Sequence, residues 1–105
     1  MQFSVYLFYL DQAAQYHATV VGDWEKAKTI WLQKLNIQHA FVSEEEKART
    51  YENLARVALE TKQNADIIQY TLAAIKCLPN DDPHLPSLQQ QLESARKNSA
   101  EKITP

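Results

Sequence analysis

Glycine occurs once in this chain of 105 residues, at Gly22, cysteine once, at Cys77, and the four prolines appear only from Pro79 onward. So few residues tolerant of positive φ cannot supply the tight turns of an antiparallel sheet, and long helices are expected in its place. A lone glycine also leaves no glycine-rich loop to cradle a phosphate. A lone cysteine excludes an internal disulfide and a cysteine zinc site; it fits a reducing compartment, and a cytoplasmic location is expected. Neither sign of charge dominates, the formal net charge being −2 and the pI about 5.9. The long-range field that would concentrate nucleic acid or anionic lipid is therefore missing, and neither is an expected partner. No apolar run is long. The longest, within Met1 to Leu10, ends at Asp11 with no basic residue before it. It is too short to span a bilayer, lacks the flank of a signal peptide, and is read as part of the fold.

Apolar residues make up 45% of the chain and charged residues 23%, a balance that suits one domain with one continuous core. Phe3, Tyr6, Leu7, Leu10, Ala14, Ala18 and Val21 recur at spacings of three and four, which predicts a first helix ending at Gly22. Asp23 can cap a second helix running to about Gln38, with Trp24, Ala27, Ile30, Trp31 and Leu35 on one face. Ser43 and Glu46 have capping-box spacing, and a third helix is predicted from there to about Lys62. Asn64 can cap a fourth helix that Pro79 stops. Asp82 followed by Pro83 opens a fifth, with Leu85, Leu88, Leu92 and Ala95 as a narrow apolar stripe. The expectation is one all-α domain of five antiparallel helices over residues 1–98, with residues 99–105 as a disordered tail.

Two stretches resemble the tetratricopeptide repeat. Residues 22–35, GDWEKAKTIWLQKL, are similar to the turn and second helix of such a unit, with Gly22, Trp24, Ala27 and Trp31 at the turn, aromatic, small and second aromatic positions. Residues 48–81 resemble one complete unit: Tyr51, Leu54, Ala55 and Ala58 match its first helix, and Ala74, Ile75, Pro79 and Asn80 its closing pattern. Short side chains at Ala27, Ala55 and Ala74 have a physical reason, because helices approach to about 8–10 Å only where the crossing residues are small. Leu85, Leu88 and Leu92 follow at the period of thirty-four, so the fifth helix reads as a terminal cap with a polar outer face. There are departures. The turn positions Gly22 and Lys62 are forty residues apart, so about six extra residues fall between the units, within Asn36 to Val42. Lys62 stands where the family has glycine, Ile67 where it has a small residue, and the first helix fits the pattern poorly. A plain five-helix bundle is the other reading, and both predict the same helices.

The resemblance implies a short helical-hairpin stack whose first helices line a groove for a peptide or helix of a partner. Carried over by position, the groove side of the second unit comprises Arg49, Glu52, Asn53, Arg56, Leu59 and Glu60, and that of the first Tyr9, Gln12, Tyr16 and Val20. Clamping a C-terminal carboxylate, as some family members do, is not expected, since Gln12 and Tyr16 stand where the first unit would need lysine and asparagine. The bland alternative for the charged positions is a solvated face with weak pairs at three and four spacing. About two and a half units are fewer than a stack needs to cover itself. The apolar start of the first helix, with Phe3, Val5, Phe8 and Tyr9, is the surface expected to be covered by a second copy or by a larger complex.

Chemistry finds little support. His17, His39 and His84 sit in different segments, and none has a second metal ligand at helical spacing. Cys77 lies near a helix C-terminus, where the dipole raises a thiol's pKa. No enzyme, metal or cofactor is expected. The expected function is a non-catalytic interaction scaffold; a small dedicated chaperone of the secretion type, and a structural subunit docked by its first helix, stay open beside it.

Overall fold

The structure, a computed structural model, describes the backbone of residues 2–103 and the side chains of residues 5–40 and 42–99. Helix α1 spans Gln2–Tyr16 and runs on as a π-helical turn, His17–Val21; α2 is Trp24–Phe41, α3 Glu44–Glu60, α4 Asn64–Cys77 and α5 Leu85–Ile103. No strand occurs among the described residues, in line with the shortage of turn-forming residues.

Each helix packs on the helices next to it in sequence. The pairings run antiparallel: on α3 and α4, Glu44 meets Cys77 at the outer end and Tyr51 stacks on Tyr70 further in. On α1 and α2, Tyr6 meets Gln33 and Asp11 meets Trp31. The result is elongated, 53 × 35 × 21 Å. Helices two apart in sequence are tied by single polar contacts, Gln15 to Arg56 between α1 and α3 and Lys28 to Asp66 between α2 and α4.

The helix ends follow from local chemistry. Gly22 closes the first helix at φ 79°, in the left-handed region, and lets the Asp23 amide donate back to the His17 carbonyl at 2.8 Å. Asp23 then caps α2 by accepting from the Lys26 amide at 3.0 Å, and Ser43 caps α3 by accepting from the Glu46 amide at 3.4 Å. Lys62 takes the same left-handed conformation as Gly22, at φ 56°, so the two residues aligned as turn positions do share a backbone state.

Four boundaries differ from the sequence reading. The residues from Asn36 to Val42, expected as an insertion between units, extend α2 to Phe41. Asn64 does not cap α4; its side-chain amide donates to the Ala95 carbonyl at 2.9 Å and so ties α4 to α5. Asp82 accepts from the His84 amide at 2.8 Å in a turn ahead of α5, which starts at Leu85 and not at Pro83. Finally, α5 continues to Ile103, past the boundary placed after residue 98.

The core is built at the crossings. Ala14, Ala18, Ala27, Trp31, Leu35, Leu54 and Val57 form one buried cluster, with Trp24, Ile30, Tyr51 and Tyr70 packed around it. Ala55 and Ala74 are buried as well, as close approach of α3 to its neighbours requires. Trp31 is fully buried, and its removal would cost about 3–5 kcal/mol.

A candidate partner-binding surface

The outward side of α3 lies between two polar ties. Glu52 reaches forward to the turn before α5, its Oε1 3.5 Å from Nδ1 of His84. Arg56, one turn later, reaches back to α1, Nη2 donating to Oε1 of Gln15 at 2.7 Å. Between α3 and the start of α5 a cleft of about 320 Å³ is lined by Glu52, Pro83, His84, Ser87, Leu88 and Gln91. Its base is fixed by buried Leu88 and by Gln91, whose amide donates to buried Thr71 at 2.7 Å. The lining is mixed, Pro83 and Leu88 lying among polar Glu52, His84, Ser87 and Gln91, which suits a peptide that brings both backbone hydrogen-bonding groups and side chains to bury.

Of the residues assigned to the groove from sequence, Arg49, Leu59 and Glu60 are exposed on α3, while Glu52 and Asn53 are half-buried beside them. Arg56 is not open to a partner in the same way. Its guanidinium lies 5.6 Å from the ring centre of Trp31 and 6.0 Å from that of Trp24, and its Nε is enclosed without a hydrogen-bond partner. Gln12 and Tyr16 are exposed on α1, but the helical register puts them on the same face as Val5, Phe8 and Tyr9. They belong to that apolar face and not to the cleft. Val5, Phe8 and Tyr9 are exposed as expected, and the side chain of Phe3 lies outside the described residues.

Sequence reasoning missed His84, Ser87 and Gln91, because the positions that face a cleft depend on how α5 lies against α3. The available signal was their spacing of three and four on the polar side of the leucine stripe.

Glu52, His84 and Ser87 are the residue types of a nucleophilic triad. No hydrogen bond joins Ser87 to His84, however, and the imidazole side chain is 57% exposed, where water competes for every proton transfer. Cys77 is buried, and its Sγ donates to Oε2 of Glu44 at 3.4 Å. Burial first, and then the Glu44 carboxylate, push its thiol up to about 11. Glu44 itself is held below the usual carboxylate range by hydrogen bonds from Lys47 and Cys77. No group of three metal-ligating side chains gathers among the described residues, and no helix there is long and apolar enough to cross a membrane.

No family model, curated protein or solved structure matches this chain.

Proposed function

We propose that the chain is a non-catalytic protein-interaction module, built like a short tetratricopeptide stack, that takes a peptide or helix of a partner along α3 and into the α3–α5 cleft. The observation that carries this reading is the pair of ties from α3, Arg56 to Gln15 on one side and Glu52 to His84 on the other. These contacts bracket α3, towards α1 on one side and the turn before α5 on the other, and leave Arg49, Leu59 and Glu60 facing solvent, which is what a docking groove needs. The left-handed backbone shared by Gly22 and Lys62 supports the repeat, as do buried Ala27, Ala55 and Ala74 at the crossings. Charges of both signs on the rim suit a partner segment that is itself mixed in charge.

The test is site-specific photocross-linking in cells that express the protein naturally. A photoreactive side chain at Asn53 or Ser87 should give an adduct with the same partner, and one at exposed Gln69 on α4 should give none. Adducts at Gln69 alone, or equal labelling at all three positions, would count against the α3 surface.

A further inference from the structure

Helix α1 and the π-helical turn that extends it bury Leu7, Leu10, Ala14 and Ala18 against the rest of the fold and leave the opposite face bare. That face carries Val5, Phe8, Tyr9, Tyr16 and Val20, each between 54% and 68% exposed, with exposed Gln12 among them. From Gln2 to Val21 the one carboxylate, Asp11, points inward to Lys34 and Trp31, and the one basic side chain, His17, is half-buried with its Nδ1 enclosed. The outer face is therefore uncharged from end to end.

The neutral, apolar composition of this face points to its occupant. Apolar and aromatic residues flank Gln12 on both sides, Val5, Phe8 and Tyr9 before it and Tyr16 and Val20 after it, with exposed Thr19 beside them. A two-fold contact sets residue i against residue j and j against i, so a face with apolar side chains on both sides of a central amide sets apolar against apolar and opposes no like charges. We propose that α1 pairs with α1 of a second copy of this chain, antiparallel, with Gln12 on the axis. Val5 then meets Val20 of the other copy, Phe8 and Tyr9 meet Tyr16, and the two Gln12 amides, each both donor and acceptor, bond to one another and fix the register.

Area and charge agree with this choice. Three aromatics exposed to this degree offer roughly 350 Å² per copy. With the valines and the helix surface between them, the two copies together bury on the order of 1,000 Å², the threshold for a specific contact. A helix that lies on a membrane carries lysine or arginine beside its apolar face, and the segment from Gln2 to Val21 has neither. The proposal concerns a face separate from the α3 surface and does not depend on that reading.

Sedimentation equilibrium at about 100 μM, well above the micromolar Kd expected of so small a contact, should give twice the monomer mass. Phe8→Asp should halve that mass while far-UV circular dichroism stays unchanged, because Phe8 is two-thirds exposed and outside the core. Gln12→Cys should oxidise to a covalent dimer. Val5→Cys should not link to itself, its two copies lying roughly 20 Å apart in the antiparallel pair, but should link to Val20→Cys when the two variants are mixed. A monomeric wild type, a dimer indifferent to Phe8→Asp, self-linking Val5→Cys, or recruitment of monomers to vesicles of anionic lipid would each overturn the proposal. Cross-linking at Asn53 should persist in Phe8→Asp, so failure of one surface is distinguishable from failure of the other.

Discussion

Arg56 and Gln15 meet between α1 and α3, Nη2 donating to Oε1 at 2.7 Å, and the same guanidinium caps the ring faces of Trp24 and Trp31. An arginine at this point does two things that a lysine could not. Its fork bonds to the amide while the cation stays 5.6 and 6.0 Å from the two ring centres, and it is weakly hydrated enough to leave water at small cost. α3 is thereby fixed to α1 at the edge of the core.

Arg56→Ala should lower stability by about 2–3 kcal/mol, the sum of a charge-assisted hydrogen bond and a partly desolvated cation–π contact. Arg56→Lys should recover less than half of that loss. Arg49→Ala, on the exposed part of the same helix, should stay within about 0.5 kcal/mol of wild type. Urea unfolding followed by tryptophan fluorescence measures all three; equal effects at positions 49 and 56 would mean that the stacking carries no energy.

Asp11 receives two donors on one oxygen, Nε1 of Trp31 and Nζ of Lys34, each at 3.1 Å. Asp11→Ala strands both, with Trp31 fully buried and Lys34 nearly so, and should cost about 2–4 kcal/mol. Asp11→Asn keeps an acceptor for the indole and should cost less. A shift in the urea midpoint smaller for Ala than for Asn would contradict this account.

These two residues also show what could be read without coordinates. Apolar periodicity locates the five helices and residue type the caps at Asp23 and Ser43, because burial of a stripe and satisfaction of the first amides are local requirements, while the small residues at the crossings follow from the resemblance to the repeat. Asp11 was read only as the end of an apolar run, although it stands four residues after Leu7 and three before Ala14, inside the buried arc. Its partners lie on another helix, and a polar residue on an inward arc is intelligible only once its partner is known. The same holds for Thr50, buried four residues before Leu54 and donating to Gln38 at 2.6 Å. Arg56 sits at the centre of the outward arc of α3, where position implies solvent; the length of its side chain carries the charge back to the indoles. For the α3–α5 cleft, the entry of α5 two residues later than Pro83 decides which side chains face Glu52.

The turn positions give a prediction of opposite sign at two sites. Lys62 holds φ at 56° with a full side chain, a conformation that costs an L-residue roughly 1–2 kcal/mol. Lys62→Gly should therefore stabilise by about 0.5–1 kcal/mol, after subtraction of the greater freedom glycine gains on unfolding. Gly22→Ala should destabilise by about 1–2 kcal/mol, through the backbone alone, since an added Cβ meets nothing within 4 Å. Thermal unfolding of the two variants should move Tm in opposite directions.

Cys77 supplies a pH dependence. Its thiol is raised from about 9 to about 11, by burial first and by the neighbouring Glu44 carboxylate second. A raised folded-state pKa means that the neutral thiol favours the fold: its contribution is fully present below about 9 and is lost as pH rises towards about 11, where the unfolded chain alone would be ionised in between. The thiolate is the reactive form, so at pH 8 a thiol reagent should modify Cys77 far more slowly in the native protein than in urea. Removing the carboxylate by Glu44→Gln takes away the smaller cause and leaves burial in place. Native-state labelling should then speed up modestly and shift to lower pH, while labelling in urea stays the same. A Glu44→Gln profile that coincides with wild type would show that the 3.4 Å contact between Sγ and Oε2 has no influence on the thiol.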